Sequence, residues 1–298
     1  MTRPRVAVAQ MTSIGDQEKN FSTVSRLCQE AKAQACSALF LPECVSFIGA
    51  NQEETIAAMQ PLDGPLMTRY RQLAQQHSLW LSLGGFQEQG PDAGHLYNCH
   101  VIVSAEGQIQ ARYRKVHLFN VEVQNGPVLM ESRSTAPGNE LVVCNSPAGR
   151  LGLTVCYDLR FPEMYQRLVF DMGAEILLVP SAFTKLTGRA HWELLLRARA
   201  VETQCFVIAA AQAGVHNHKR ESYGHSIIID PWGDVIAKLE DPLATGIAVV
   251  ELDFEKLQKV RERMPMKEHR RQGRISMGWD QPATADEAAF APGSTFKQ

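Results

Sequence analysis

Short apolar runs alternate along the chain with longer segments whose apolar residues recur at helical spacing. In residues 18–34, for example, Phe21, Val24 and Leu27 share one face of a predicted helix. Helices are likewise predicted over residues 66–77, 162–172 and 190–203. Strands are predicted over residues 6–9, 38–41, 79–83, 100–103, 108–113, 151–155, 175–179, 205–211, 226–229, 235–239 and 248–252.

Some of these strands are joined by short turns and others by helices, which predicts an α/β or α+β fold with a mixed sheet and more than one layer. No linker rich in proline, glycine or serine divides the chain, so residues 1–265 are predicted to form one domain. Residues 266–298 are polar and rich in arginine, proline, glycine and alanine. We predict a tail there that either packs on the body or on a partner subunit, or is disordered.

The charges of the chain nearly cancel, with 30 lysines and arginines against 32 aspartates and glutamates. This balance leaves no basic stripe for nucleic acid and no lysine-rich cluster for a membrane surface, so neither partner is expected. The longest apolar stretches, near residues 176–179 and 206–211, are much shorter than a bilayer span. The expected partner is a small molecule that is recognised by local chemistry.

The seven cysteines are scattered and form no C-x-x-C pair. Such a set in a chain of 298 residues predicts reduced thiols in a cytosol-like compartment. The apolar run at residues 6–9 is too short for the core of a signal peptide, and no presequence rich in arginine and serine precedes it. We therefore expect a cytoplasmic protein; a mitochondrial form would need a transit peptide outside this sequence.

Cys156 lies where a predicted strand ends and where Pro162 opens a predicted helix. A side chain on such a turn can be exposed, while backbone N–H groups face a developing negative charge. The position suits a nucleophile whose thiolate is favoured by a lowered pKa. The alternative is a small buried hydrophobe at a strand end, and the position alone favours that alternative.

Glu43 follows the apolar run 39–41 and Pro42, at the carboxyl end of a predicted strand. Open α/β sheets place active-site residues at this end. A glutamate against an apolar wall has its neutral form favoured and can exchange protons with a thiol and a leaving amine. The alternative is an ordinary exposed glutamate in a loop.

Three basic residues lie within five positions at 113–117. Such a cluster is usually a solvated face. Strand alternation nevertheless places Tyr113, Lys115 and His117 on one side. A lysine beside a thiol and a carboxylate would stabilise the thiolate and then a tetrahedral oxyanion.

Together these segments resemble the nitrilase superfamily of Glu-Lys-Cys amidases, over about residues 5–270. The similar segments are Phe-Leu-Pro-Glu at 40–43, Tyr-Arg-Lys-Val-His-Leu at 113–118 and Val-Cys-Tyr-Asp-Leu-Arg-Phe-Pro-Glu at 155–163. The resemblance implies a four-layer αββα sandwich that pairs into a homodimer or a larger homo-oligomer. It also implies an amidase that forms a thioester acyl-enzyme.

The same resemblance assigns roles to individual residues. Glu43 is the implied general base, Lys115 stabilises the oxyanion and Cys156 forms the acyl-enzyme. The backbone N–H of Tyr157 would complete the oxyanion hole. Glu131 is the implied second glutamate, which positions the lysine.

Finer matches resemble the Nit group and, within it, the members that hydrolyse deaminated glutathione. They lie at residues 79–86, 97–100, 180–183, 190–200 and 222–226. The implied substrate is a γ-linked 2-oxo amide with a carboxylate at each end. Arg160 is a candidate for one carboxylate, or else it pairs with Asp158 or Glu163; Thr184 is a candidate hydroxyl donor to the other carboxylate.

Two other functions stay open. The neighbouring ω-amidase branch acts on 2-oxoglutaramate with the same three residues, and a catalytically silent binding module would keep only the fold. Metal, nucleotide and serine chemistry are not expected, because H-E-x-x-H, G-x-G-x-x-G, P-loop and G-x-S-x-G motifs are absent. His216 and His218 are expected at the surface rather than on zinc. No metal or cofactor is therefore predicted.

Overall fold

A computed structural model describes residues 3–122 and 128–270, and two mixed β-sheets form its centre. The strands are β1 (Arg5–Met11), β2 (Ala38–Leu41), β3 (Trp80–Asp92), β4 (His95–Val103), β5 (Ile109–Arg114), β6 (Asn120–Glu122), β7 (Val128–Met130), β8 (Val142–Ser146), β9 (Gly149–Leu153), β10 (Ile176–Leu178), β11 (Phe206–Ala209), β12 (Ala211–Asn217), β13 (Arg220–Tyr223), β14 (Ile227–Ile229), β15 (Val235–Lys238) and β16 (Gly246–Glu251). The helices are α1 (Gln17–Ala33), α2 (Gln52–Ala57), α3 (Pro65–His77), α4 (Pro162–Gln166), α5 (Lys185–Thr203), α6 (Phe254–Arg263) and α7 (Met266–His269).

The first sheet has the order β13-β12-β1-β2-β3-β4-β5, with β16 also paired to β1. Its β1, β2 and β3 are parallel neighbours, whereas β3, β4 and β5 form an antiparallel meander. The second sheet has the order β15-β14-β11-β10-β9-β8, and β9, β10 and β11 are parallel. The prediction of mixed sheets is confirmed.

Alternation along β1 shows how the layers stack. Val6 and Val8 belong to one core cluster together with Leu153 of the second sheet. Ala7 belongs to the other cluster, together with Leu27 of α1 and residues of α3. Trp192 and Leu196 of α5 pack into the first cluster from the far side of the second sheet. The order helices, sheet, sheet, helices is the expected αββα sandwich.

Most predicted elements are present, with shifted ends. Helix α5 begins at Lys185 rather than at residue 190, because Thr184 caps it by accepting a hydrogen bond from the N–H of Thr187. The predicted helix 162–172 is α4 followed by a π-helical turn at Arg167–Asp171. The strand predicted at 205–211 is wrong as one element, since β11 ends at Ala209 in the second sheet and β12 begins at Ala211 in the first.

The chain divides into a compact unit that ends at Arg263 and a second unit that begins at Met264. The boundary at residue 265 and the tail 266–298 stay predictions, and residues 271–298 lie outside the described residues. Within the described ranges, no helix is long and apolar enough to cross a membrane.

His216 was expected at the surface, and this is wrong. The residue lies on β12 and is buried. Its Nδ1 lies 2.7 Å from the carbonyl oxygen of Ser13, and its Nε2 lies 2.8 Å from Oγ of Ser222. A histidine with both ring nitrogens satisfied can be buried without a metal.

His100 of β4 is fully buried and joins the first sheet to the segment that leads to the Cys156 turn. Its Nδ1 donates to the carbonyl oxygen of Thr154 at 3.0 Å, and its Nε2 lies 2.7 Å from Oγ of Ser82. Burial lowers the pKa of His100 to about 4. The side chain is therefore neutral in the folded protein at pH values where an unfolded histidine is protonated.

We predict that this residue makes the free energy of unfolding fall as the pH falls from 6.5 toward 4, because the unfolded chain then binds the extra proton. The contribution is about 2 kcal/mol between pH 6.5 and pH 5. Urea unfolding at pH 7 and pH 5 should show a smaller loss for His100→Gln than for the wild type. The exposed-site variant His218→Gln should lose as much as the wild type. Equal losses in all three proteins would contradict the prediction.

Candidate active site

Three strand ends from the two sheets meet at one point. Glu43 follows β2, Lys115 follows β5 and Cys156 follows β9. The ammonium of Lys115 lies 3.1 Å from Oε1 of Glu43, and the thiol of Cys156 interacts with the same carboxylate. The structure therefore brings together the three residues that the sequence singled out.

The loop that carries Glu43 is held in an unusual backbone conformation. Cys44 has φ +55, in the left-handed region that residues other than glycine seldom adopt. Gly85 of β3 allows this loop to approach, because a Cβ there would lie 2.8 Å from the backbone N of Cys44 and 3.1 Å from Cγ of Glu43. Glu43 is consequently buried, and the alternative of an exposed loop glutamate is wrong.

Cys156 also has a left-handed backbone, with φ +50. Its N–H donates to the carbonyl oxygen of Pro180 at 2.9 Å, and the 3-10 turn Cys156–Arg160 starts at this residue. The N–H of Tyr157 lies in the first turn, where no carbonyl of the same turn can accept it. A left-handed residue at the junction of a strand and a helical turn is a strained conformation that is typical of nucleophile turns.

Glu131 supplies the second carboxylate that contacts the ammonium of Lys115. It opens the 3-10 turn Glu131–Arg133, and its Oε2 and Oε1 lie 2.9 and 3.1 Å from Nζ of Lys115. The N–H of Phe119 donates to Oε2 of Glu131 at 2.7 Å. The lysine is only 2% exposed and lies between two carboxylates, so the alternative of a solvated basic face is wrong for it.

Two further groups hold these carboxylates, and sequence reasoning missed both. The side-chain amide of Asn98 on β4 donates to Oε1 of Glu43 at 2.9 Å and to Oε1 of Glu131 at 3.3 Å. The N–H of Ala182 donates to Oε2 of Glu43 at 2.9 Å. Asn98 lies inside the matching segment 97–100, which was the available signal; a backbone N–H such as that of Ala182 leaves no signal in sequence.

The charges of the site are set by its own members. Burial is the largest influence on the pKa of Glu43 and would raise it, but the Lys115 ammonium and the hydrogen bond from the Cys156 thiol, with smaller contributions from other neighbours, together keep that pKa below its usual value. Burial lowers the pKa of Lys115, but the carboxylates of Glu131 and Glu43 raise it far above its usual range. Burial and the Glu43 charge raise the pKa of the Cys156 thiol.

These directions correct two expectations. Glu43 was expected to favour its neutral form, and it is instead held as a carboxylate. Cys156 was expected to have a lowered pKa, and it is instead held as a thiol. The resting site is therefore carboxylate, ammonium and thiol, in which Glu43 is the base that can take the thiol proton when sulfur attacks an electrophile.

Asp158 joins the nucleophile turn to the lysine segment. Its carboxylate is fully buried and accepts from the N–H of Val155 at 2.8 Å and from the hydroxyl of Tyr113 at 2.7 Å. It also accepts from the N–H and Nδ1 of His117, at 3.1 and 2.8 Å. Because Tyr113 and His117 flank Lys115, this carboxylate fixes Lys115 relative to Cys156.

The proposed substrate-binding residues lie around this centre. Arg160 contacts Nδ1 of His191 at 3.3 Å and lies 5.8 Å from the ring centres of Tyr157 and Phe183. Within the described part of the chain, no ion pair joins Arg160 to Asp158 or Glu163. The alternative that Arg160 forms a structural ion pair with one of these carboxylates is therefore not supported.

Thr184 is the N-cap of α5, and its hydroxyl lies 2.8 Å from the hydroxyl of Thr187. The roles of Arg160, Thr184 and the Tyr157 N–H stay predictions. Within the described residues, no group of three or more His, Cys, Asp and Glu side chains is placed to hold a metal ion.

Comparison with known proteins identifies the family of this chain. The family model described as carbon-nitrogen hydrolase matches residues 5–262. The chain belongs to the carbon–nitrogen hydrolase family. This carbon–nitrogen hydrolase is 49% identical over 272 residues to the deaminated glutathione amidase of Bos taurus, and 47% identical to that of Homo sapiens. Each alignment covers 90% of this chain and 82% of the relative.

Solved structures agree with this placement. The hydrolase resembles the C. elegans NitFhit protein with a TM-score of 0.85 and 45% identity, covering 91% of this chain and 66% of that one. It resembles Saccharomyces cerevisiae Nit3 with a TM-score of 0.79 and 28% identity, and the match covers 92% of this chain and 97% of Nit3. It also resembles a mutant amidase from Nesterenkonia sp. AN1 in which acrylamide has added to the active-site cysteine. The TM-score is 0.71 at 26% identity, and the match covers 88% of this chain and 98% of the amidase. The expected nitrilase-type fold is confirmed.

We predict that Asp158→Asn loosens the nucleophile turn, because an NH₂ group then faces donors in place of an acceptor oxygen. The free energy of unfolding should fall by about 1–3 kcal/mol, and iodoacetamide should alkylate Cys156 at a changed rate. Urea unfolding and peptide mapping measure the two effects. Asp171→Asn, at an exposed aspartate whose ion pair with Arg167 lies on the surface, is the control and should change neither. An Asp158→Asn protein that matches the wild type in both would refute the role of this carboxylate.

Proposed function

We propose that this carbon–nitrogen hydrolase is an amidase that hydrolyses deaminated glutathione through a thioester acyl-enzyme. The observation that carries the proposal is the buried contact of Lys115 with Glu43 at 3.1 Å, beside the Cys156 thiol. The substrate rests on relatives 47–49% identical that are named deaminated glutathione amidase.

In the proposed first half-reaction, Glu43 takes the proton of the Cys156 thiol while the sulfur attacks the amide carbonyl carbon. The resulting oxyanion is stabilised by the Lys115 ammonium and by the N–H of Tyr157. Glu43 then passes the proton to the leaving nitrogen, the C–N bond breaks and the amine departs. The acyl group remains as a thioester on Cys156.

In the second half-reaction, a water molecule takes the place of the amine. Glu43 accepts a proton from that water as its oxygen attacks the thioester carbonyl, and the same oxyanion contacts apply. The C–S bond breaks, the carboxylic acid departs and the proton returns to the Cys156 sulfur. The lowered pKa of Glu43 and the raised pKa of Cys156 support this proton path, because the base is ionised and the nucleophile is protonated before attack.

The substrate carries a carboxylate at each end, and this suits the surroundings of the site. Arg160 lies four residues after the nucleophile, and among the residues that the structure describes its one polar contact is with Nδ1 of His191 at 3.3 Å. A guanidinium in that position can accept a carboxylate in bidentate geometry. Thr184, at the start of α5, is a further proposed donor.

The experiment that tests this function compares two oxo-amides in a coupled assay. We predict that the wild type turns over deaminated glutathione faster than 2-oxoglutaramate, and that Cys156→Ala lowers kcat/KM by at least about a thousandfold. Cys144→Ala, which removes a thiol on β8, should keep its activity. Much faster turnover of 2-oxoglutaramate would instead support an ω-amidase. A fully folded wild type inactive on both substrates would support a binding module.

We also propose that the chain forms a homodimer through the outer face of α5. Leu186 and Leu194 on this helix are 71% and 68% exposed, and Val201 is also exposed. Their spacings of eight and seven residues place them on one helical face. Exposed Trp232 extends the patch, since the next residue, Gly233, accepts a hydrogen bond from Arg197 of α5 at 2.9 Å. An apolar patch of this kind is typical of an interface, and two-fold pairing covers it with its own copy.

We predict that Leu194→Glu converts the protein to a monomer, because a charge would be buried against an apolar partner face. Sedimentation velocity should give twice the 33.1 kDa chain mass for the wild type and the single chain mass for the variant. Leu243→Glu, at an exposed leucine outside α5, should stay dimeric. A monomeric wild type, or a dimeric Leu194→Glu protein, would exclude this interface.

A reducing, cytoplasmic location is proposed as well. It is supported by the seven cysteines, all of which are free thiols in the described residues. The near balance of charge supports a small molecule, rather than nucleic acid or a membrane surface, as the partner.

A further inference from the structure

Asn98 on β4 contacts all three charged residues of the buried cluster. Its side-chain amide donates to Oε1 of Glu43 at 2.9 Å and to Oε1 of Glu131 at 3.3 Å. Its backbone carbonyl accepts a hydrogen bond from the N–H of Lys115 at 2.9 Å. The residue is only 8% exposed, so it is largely shielded from water. A single residue of β4 thus binds the backbone of the lysine and both of the carboxylates that contact its ammonium.

The side-chain amide of Asn98 has one orientation that satisfies its neighbours. An ionised carboxylate only accepts hydrogen bonds, so the NH₂ group must face Glu43 and Glu131, and each carboxylate takes one of its two hydrogens. The amide oxygen faces Gly85 of β3, where a Cβ would lie only 2.7 Å from that oxygen. Glycine at this position therefore leaves room for the asparagine side chain as well as for the loop that carries Glu43.

The hydrogen bonds to Glu43 are divided unequally between its two oxygens. Oε1 accepts from Nζ of Lys115 at 3.1 Å and from the Asn98 amide, and these two donors fill both of its lone-pair positions. Oε2 accepts from the N–H of Ala182 at 2.9 Å, which fills only one position. The thiol of Cys156 also bonds to this carboxylate. Its proton therefore has an open acceptor position on Oε2 and none on Oε1.

We propose that Asn98 is a positioning residue that fills Oε1 of Glu43 and thereby leaves Oε2 as the oxygen that accepts the Cys156 proton. Through its second hydrogen, Asn98 also holds this carboxylate beside Glu131. The inference rests on the proposed function and deepens it, because it names the atom of the general base. As the sulfur attacks the amide carbonyl carbon, the S–H proton moves to Oε2, and from there it passes to the departing nitrogen. Asn98 exchanges no proton itself and acts through Glu43.

The kinetic test uses Asn98→Asp, which keeps the size of the side chain but replaces the amide with a third acid. A carboxyl group beside two carboxylates has a strongly raised pKa, and only its protonated form can donate to Oε1. The ratio of variant to wild-type kcat/KM for deaminated glutathione should therefore fall at least about tenfold from pH 5 to pH 9, mainly through kcat. Asn145→Asp, at an exposed asparagine of β8, should keep a constant ratio. A constant ratio for Asn98→Asp would overturn the proposal.

Asn98→Leu is a second variant, and it introduces no charge. It removes both hydrogen bonds from the carboxylates, so Glu43 loses the donor that fills Oε1. At pH 7, kcat on deaminated glutathione should fall at least about tenfold while KM stays near the wild-type value. Asn145→Leu is the matched control and should keep both constants. A folded Asn98→Leu protein with wild-type kcat would overturn the role of Asn98.

A third measurement needs no turnover, so it separates this inference from the proposed function. In Asn98→Asp, the folded protein holds a proton on the new carboxyl group that an unfolded aspartate has released. Its unfolding equilibrium constant relative to the wild type should therefore rise with pH above pH 5, by up to about tenfold per pH unit, in urea unfolding. Asn145→Asp should show no such rise. If the wild type hydrolyses neither oxo-amide but Asn98→Asp shows the rise, the proposed function fails and the contact of Asn98 with two ionised carboxylates stands. Absence of the rise would overturn that contact.

Discussion

The interaction on which the site depends is the burial of the Lys115 ammonium between the carboxylates of Glu43 and Glu131. The lysine is 2% exposed, so solvent cannot stabilise its charge. Removing one member of such a buried cluster leaves an uncompensated charge, which destabilises a protein by about 3–5 kcal/mol. The three residues come from separate segments after β2, β5 and β7. The first sheet and its connecting segments must therefore form before these three charged side chains can pair.

This cluster also determines the state of the nucleophile. One ammonium against two carboxylates leaves a net charge of −1 beside Cys156. A thiolate would add a second negative charge in a buried place, which explains why the pKa of Cys156 is raised rather than lowered. Proton transfer to Glu43 is then coupled to attack, and the thiolate need not exist as a stable species. The backbone N–H of Ala182, which donates to Oε2 of Glu43, also partly offsets the rise in the pKa of Cys156.

The local sequence pattern predicted well that Glu43, Lys115 and Cys156 lie at the ends of strands. Strand β2 is found at the predicted residues 38–41, which places Glu43 at a strand end. Strand β5 ends at Arg114, so strand alternation does not continue to residue 117. Tyr113 and His117 both contact Asp158, whereas Lys115 contacts Glu43 and Glu131. The charge states could not be predicted in this way, since each pKa depends on two or three partners that are distant in sequence. The change of sheet at Ala210 was missed for a related reason, because a continuous apolar run does not show which sheet each half will join.

The same electrostatics limit which substrates can approach. The chain as a whole carries a formal charge of −2, so its long-range field does not attract anions. The buried cluster adds local repulsion, because its net charge is also negative. An anionic substrate must therefore find compensating cations inside the cleft, and a cation already paired with a carboxylate would contribute little. Arg160 is a cation without a carboxylate partner among the described residues, and this is the property that a site for one carboxylate of the proposed substrate would need.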